Sequence, residues 1–379
     1  MTTAAQPQQA STQRPRAISM RVWQTLFWAL CLVAAIVFPL VFSNPSVTTV
    51  AFFTLVFAAA GTAWNIFSGY TGYIALGHAA FFGIGCYTLA LACKWWHVPG
   101  GWEPFAFVPL AGLAAAVFAL PVGAIALRTR RHTFVVITIA IFFIFQLLAY
   151  NLRGLTNGSA GLELPIPPWS GALFNLPFYY MILAVLLLAV ATSWFVRHSK
   201  YGLELLAIRD DEDRARGLGV RTTFTKLSAF ILSAFFVGMA GSIWAYFLLS
   251  IYPPFAFDAN FDVLIALMAF LGGLGTISGP LLGALIIIPA QQYLTVTYSQ
   301  NGLYLIFEGV LFLVVILLLP EGIIPALHTR VIKRLWAAKE TPVAPAPPTA
   351  PVAATVDGSG SPPPDASISA DRERRVVGS

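Results

Sequence analysis

Ten stretches of this chain are apolar over roughly the length that crosses a bilayer, and no other feature constrains its fold as much. They run 22–42, 48–68, 78–93, 105–127, 133–150, 178–196, 227–249, 258–273, 280–298 and 303–320. A helix needs about 20 apolar residues to cross the hydrocarbon core. Ordinary soluble domains devote about a quarter of their residues to charge, whereas this chain has 58% hydrophobic and 10% charged residues among 379. The expectation is an all-α polytopic membrane protein of about ten transmembrane helices. Two of the runs, 78–93 and 258–273, are short or broken by glycine. Buried or partly re-entrant helices are expected there, because irregular backbone at membrane depth must be enclosed by protein or line a cavity.

Charge placement orients the chain. Arg14, Arg16 and Arg21, then Arg128, Arg130 and Arg131, then the segment from Arg197 to Lys226, then Arg330, Lys333 and Arg334 fall in alternate loops. The opposite loops hold only Lys94 and Arg153. Basic loops stay in the cytoplasm, so both termini are expected there. Trp95, Trp96, Trp102 and Trp169 lie at the other face, where aromatic belts form. The net charge of +6 therefore reads as orientation in lipid, and nucleic acid is not an expected partner.

This organisation implies a polar lead over 1–21, a transmembrane domain over 22–320 and a cytoplasmic segment over 321–379. The last is Pro/Ala/Ser-rich and expected to be disordered from about 341. The run 22–42 is too long for a signal h-region of about 7–15 residues, so no signal peptide is expected. Cys31, Cys86 and Cys93 sit within apolar runs and read as small core hydrophobes. There is no G-x-x-x-x-G-K-[ST], since Gly272-Gly273-Leu274-Gly275 is followed by no lysine, and no metal-ligand or nucleophile motif occurs. The chain is accordingly expected to hold no cofactor and to be no enzyme, with any ATP hydrolysed elsewhere.

Ionisable groups inside spans indicate function by default, and His78 and Glu308 are the candidates. So few midplane acids argue against a self-sufficient proton-coupled carrier. Asn65 suits interhelical hydrogen bonding. The most informative hydrophilic element is the loop 197–226. Apolar positions 203, 205, 206 and 208 form a narrow stripe, Ala215 and Leu218 continue it after the charged Arg209-Asp210-Asp211-Glu212 knuckle, and Gly219 suits a stop. A short helix–turn–helix of mixed charge is expected, as a docking surface for a soluble partner or as a solvated loop.

The pattern Tyr201-Gly202-x(5)-Ile208-Arg209-Asp210-Asp211-Glu212-x(5)-Leu218-Gly219-Val220, followed by Lys226-Leu-Ser-Ala-Phe230 and Gly238-Met-Ala-Gly241, resembles the LivM-type permeases of branched-chain amino-acid ABC importers. The resemblance extends over Asn65-Ile-Phe-Ser-Gly69-Tyr-Thr-Gly72-Tyr-Ile-Ala-Leu-Gly77-His78, over Leu155-Thr-Asn-Gly158-Ser-Ala-Gly161-Leu162 and over Phe270-Leu-Gly272-Gly273-Leu-Gly-Thr-Ile-Ser-Gly-Pro280. It implies that Tyr201, Gly202, Arg209, Asp210, Glu212 and Gly219 couple the permease to its ATPase. It also implies that Asn65, Gly69, Gly72, Gly77, His78, Gly158, Gly161, Gly272 and Gly273 border the translocation pathway. The implied partners are two ATPase subunits, a second homologous permease, a periplasmic solute-binding protein and membrane lipid. The chain departs from the family at Tyr73, Ala75 and Ala160, where relatives carry polar or acidic residues. Urea or short amides therefore stand beside branched-chain amino acids as expected solutes, with a stand-alone carrier or channel as the reading from another class.

Overall fold

A computed structural model describes residues 18–298 apart from 43, together with 306, 309, 310, 313 and 322–325. The chain divides at Ile332, and every described residue lies before it. The expected span 303–320 lies mostly, and Glu308 and the tail from 341 wholly, outside the described residues.

Among the described residues these helices follow in order: α1 Ile18–Val41, α2 Pro45–Trp64, α3 His78–Trp95, α4 Val108–Ala126, α5 Arg131–Asn151, α6 Arg153–Thr156, α7 Asn175–Arg197, α8 Lys200–Asp210, α9 Glu212–Gly217, α10 Thr222–Leu248, α11 Pro253–Ala256, α12 Ala259–Gly272 and α13 Gly279–Tyr298. Their ends agree with the apolar runs to within a few residues, because leaving the hydrocarbon region is what lets the backbone turn. Asn44 begins α2 as its cap, accepting a hydrogen bond from Ser46 N at 3.0 Å, with Pro45 in the first helical position. Among the described residues, seven stretches are long and apolar enough to cross a membrane: 45–69, 103–126, 131–151, 175–197, 222–248, 253–272 and 279–297. The expected ten is not reached there. The helix in the first run contributes a shorter apolar stretch, Trp28–Val41, and α3 carries His78 and Lys94 within its 18 residues.

The buried helix α10 organises the bundle, packing on α3, α4, α2 and α7. Lipid offers no hydrophobic drive between helices, so small residues must let backbones approach closely. A Cβ on Gly85 of α3 would stand 2.0 Å from Gly238 O of α10, so neither side chain nor strain fits at that crossing. Large aromatics fill the rest: Phe52, Trp64, Phe67, Phe178, Phe230 and Tyr246 are buried. By contrast α4 and α5 expose Val117, Phe118, Ile125, Val136 and Leu147, a surface suited to lipid.

At the tryptophan-rich end a two-stranded antiparallel ribbon joins β1 (Leu162–Glu163) to β2 (Ser250–Ile251), with Leu162 opposite Ile251. It ties the segment that precedes α7 to the one that follows α10. Trp95, Trp96 and Trp102 are exposed at this end, and Trp169 stacks on Phe105.

Candidate functional site

The opposite, arginine-rich end carries the expected helix–turn–helix, and local capping explains it. Ser199 caps α8 by accepting from Gly202 N at 3.2 Å. Asp211, between α8 and α9, accepts from the amides of Asp213 and Arg214 at 3.0 and 3.1 Å. Gly219 follows α9 with φ +90°. Gly202 is buried against Val196 at the end of α7, and the Tyr201 hydroxyl reaches α10, 2.7 Å from Ser228 Oγ and donating to Thr225 O at 3.1 Å. Asp210, Leu203 and Leu218 face outward.

Arg209 and Glu212 do not. Arg209 Nη1 donates to Gly69 O at 3.0 Å, at the foot of the α2 span. Glu212 accepts from Lys226 Nζ at 2.6 Å and from the Tyr73 hydroxyl. Lys226 is 2% exposed and also lies 4.4 Å from the centre of the Tyr73 ring. A buried ammonium is stable only when paired and hydrogen-bonded, and here one carboxylate and one phenol complete its shell. Burial works against ionisation of Glu212, yet the bonds from Lys226 and Tyr73 outweigh it and hold its pKa below the ordinary value. Burial, then Glu212, raise the Tyr73 phenol, which stays a donor at neutral pH. Arg131 completes the knot by donating to the carbonyls of Ile208 and Arg209 at 3.0 and 2.6 Å.

The same clip reaches the second glycine-rich break. α2 continues into a π-helical turn, Asn65–Gly69, and the Asn65 amide spans to the α12–α13 connection. Its Nδ2 donates to Thr276 O at 2.9 Å and its Oδ1 accepts from Gly275 N at 2.8 Å. Gly275 has φ +78°, and a Cβ there would meet Arg209 Nη1 at 2.4 Å. Only glycine permits that backbone and that neighbour together. Asn65, Gly69, Gly72, Arg209 and Gly275 thus form one cluster, with Gly272 and Gly273 leading into it at the end of α12. Gly158 and Gly161 belong elsewhere, in the loop before β1 at the tryptophan-rich end, where Gly161 O accepts from Asn157 Nδ2 at 2.9 Å. Gly77 packs on the backbone of Thr138 in α5.

His78 heads α3 in a third location. Its Nε2 lies 2.8 Å from Ser233 Oγ, near the middle of α10, and its ring packs edge-on with the rings of Phe81 and Phe230. Beside it is a residue that sequence reasoning missed. Asp262 of α12 is 3% exposed, and its Oδ1 accepts the Ala79 amide at 3.0 Å, capping α3 from another helix. Asp262 Oδ2 and His78 Nδ1 are sealed from solvent without hydrogen-bond partners among the described residues. The inventory of midplane acids therefore needs correcting. The available signal was an acidic residue five positions into the apolar run 258–273.

The family profile described as branched-chain amino acid transport system, permease component, matches residues 46–316. The high-affinity branched-chain amino acid transport system permease protein LivM of Salmonella typhimurium is 28% identical over 333 residues, covering 80% of this chain and 76% of its own length. LivM of Escherichia coli is 26% identical over 344 residues, covering 84% and 79%. The LivH permease of Escherichia coli is 25% identical over 288 residues, covering 71% and 91%. No solved structure matches the chain.

Proposed function

The chain belongs to the permease component family of branched-chain amino acid transport systems, and from that premise we propose that it is the membrane subunit of an ABC importer for a small aliphatic amino acid. It is a multi-pass membrane protein whose family consists of transport subunits rather than enzymes. In the proposed assembly it resides in the bacterial inner membrane with ten spans and both termini cytoplasmic. It pairs with a second permease, two ATPase subunits that hydrolyse the ATP, and a periplasmic solute-binding protein. The chain itself holds no nucleotide.

One observation carries the mechanistic reading: the helix pair α8–α9 is bonded directly to the first glycine-rich break of the membrane core, which Asn65 in turn joins to the second. Arg209 grips Gly69 O, and Glu212 holds Lys226 of α10 and Tyr73 of the 70–77 loop. A push on the exposed face around Leu203, Asp210 and Leu218 therefore has a short mechanical route to α2, α3, α10 and the α12–α13 connection. In alternating access, closure of the ATPases supplies that push. Urea or short amides as solutes would use the same architecture.

A self-sufficient carrier is the second reading, and Asp262 is the observation that favours it, because coupled carriers keep acids at mid-depth. Purifying the tagged chain from native membranes separates the two. A P-loop ATPase co-purifying with it, and lost when Leu203 and Leu218 are replaced by aspartate, supports the importer. A chain isolated reproducibly alone, folded and transporting, overturns that reading.

A further inference from the structure

Among the seven long apolar stretches of the described residues, α5 is the least buried: 22% of its most apolar window is enclosed, against 67% for α10. Its inward face carries three polar attachments. At the arginine-rich end Arg131 Nη2 donates to Ile208 O and Arg209 O, carbonyls of the last turn of α8 that lack partners within their own helix. Further along, Thr138 Oγ1 accepts from Leu76 N at 3.2 Å, and a Cβ on Gly77 would stand 2.4 Å from Thr138 O. Towards the tryptophan-rich end Gln146 Nε2 donates to Phe257 O at 2.7 Å, where α11 ends. Positions 131, 138 and 146 follow the spacing that keeps residues on one side of a helix. At 1.5 Å per residue the grips of Arg131 and Gln146 are about 22 Å apart along the axis.

What Gln146 holds is a seated ring. Phe257 is 3% exposed. Its ring fills the space over Gly83 of α3, where a Cβ would lie 2.4 Å from Cε1, and it stacks on Tyr87 with ring centres 5.9 Å apart. Glycine inside a helix is destabilising, and here it leaves α3 a slot for one aromatic ring. The seated arrangement has a cost of its own, because Tyr87 Oη is buried without a hydrogen-bond partner among the described residues. An unsatisfied buried hydroxyl disfavours the arrangement that contains it. The single turn α11 adds little, since so short a helix has almost no stability by itself. The seat therefore depends on the bond from α5.

We infer that α5 is a rod connecting the helix pair α8–α9 to a gate at the tryptophan-rich end, with Phe257 as the moving part and Arg131 and Gln146 as positioning residues. The inference rests on the permease reading and deepens it, because it names the helix that carries a push from one end of the molecule to the other. Displacement of the last turn of α8 moves Arg131, and with it a helix that few neighbours enclose. Gln146 moves in step, Phe257 loses its hold, and the ring leaves Gly83. The Tyr87 hydroxyl then becomes free to find a partner. In the proposed assembly this end faces the solute-binding protein, so the gate changes state as the ATPases do.

The test is hydrogen–deuterium exchange, read by mass spectrometry on the full-length chain in lipid nanodiscs with whatever subunits co-purify. The amides of Ala256 and Phe257, bonded to Tyr252 O and Pro253 O in the seated state, are the reporters. Gln146→Ala removes the near grip and should speed their exchange at least tenfold. Arg131→Gln removes the far grip and should speed it at least threefold from the other end of the helix. Arg128→Gln makes the same change of charge on an exposed side chain in the loop before α5, and should leave the rate unchanged. If Arg131→Gln does not fold, Arg131→Lys decides, since it keeps the charge without the two-carbonyl grip, and at least a twofold rise is expected. Reporter exchange unaffected by Gln146→Ala or by the folded Arg131 variant, or raised equally along α10, overturns the inference. A co-purifying ATPase with any of those results leaves the importer reading standing without the rod. The expected exchange on a chain that transports alone keeps the rod and removes the ATPase.

Discussion

Lys226 is a cation at the foot of a membrane helix with 2% of its surface exposed, and what it leaves behind when altered defines the energetics of the site. Removing one partner of a buried ion pair strands the other, at about 3–5 kcal/mol, while replacing both with apolar groups is often near neutral. Lys226→Met should therefore destabilise the protein by about 3 kcal/mol, and Lys226→Met with Glu212→Leu should recover most of that, measured by thermal unfolding in detergent. A double variant as unstable as the single one would show that the pair is not the source. The pH dependence has a definite sign. Glu212 titrates below its ordinary value of 4.5, so its contribution is complete above that pH and disappears as pH falls through the lowered value. Relative to Glu212→Gln, the native chain should lose its stability advantage on acidification below about 4.5 and keep it above. An advantage that grows in acid would contradict this assignment. The knuckle 209–212 was legible in the sequence as a place where charge mattered. That Arg209 and Glu212 turn inward was not, since their partners, Gly69 and Tyr73, are about 140 residues away and no local period encodes such a contact. Asp262 was overlooked for a related reason: a single acid does not disturb an apolar run, and only the packing of α3 on α12 shows that it caps a foreign helix.

Among elements, the long helices were readable to within a few residues, because bilayer thickness and not side-chain detail sets their length. The narrow apolar stripe at 203, 205, 206 and 208, with Gly219 as the stop, also made the pair α8–α9 readable. The ribbon of β1 with β2 was not, as strands of two residues leave no alternation to detect. The meeting of the two glycine-rich breaks was half legible: the glycines advertised irregular backbone, while the Asn65 amide that joins them resembled ordinary helix glue. This joint is the element through which α8–α9 would act. Arg209→Ala removes the clip on Gly69, and Gly275→Ala displaces the same guanidinium by placing a Cβ where Nη1 now lies 2.4 Å away. Each should reduce transport-linked ATP turnover at least tenfold with the fold retained. The double variant should be little worse than either single one, since both act through one contact. Additive losses in a cycle of the three variants, read in proteoliposomes with the ATPase present, would mean that the two residues serve separate functions.

For the whole molecule, apolar length and basic asymmetry carry the architecture, and they imply a disposition that can be measured. The arginine-rich end holds α8–α9, where Leu218 is 85% exposed, and the tryptophan-rich end holds Trp96, 59% exposed, beside the ribbon. A machine driven by cytoplasmic ATP requires these two ends on opposite sides of the membrane, with Leu218 inside. Leu218→Cys and Trp96→Cys, each in a background with Cys31→Ser, report this directly, because Cys86 and Cys93 are buried. A membrane-impermeant maleimide added to intact spheroplasts should label Trp96→Cys at least ten times faster than Leu218→Cys, and permeabilisation should abolish the difference. Labelling of Leu218→Cys from outside would place the knot of Arg209, Glu212 and Lys226 away from any ATPase. The bonds that connect it to the glycine-rich breaks would then serve folding alone, and the case for a driven importer would fall with them.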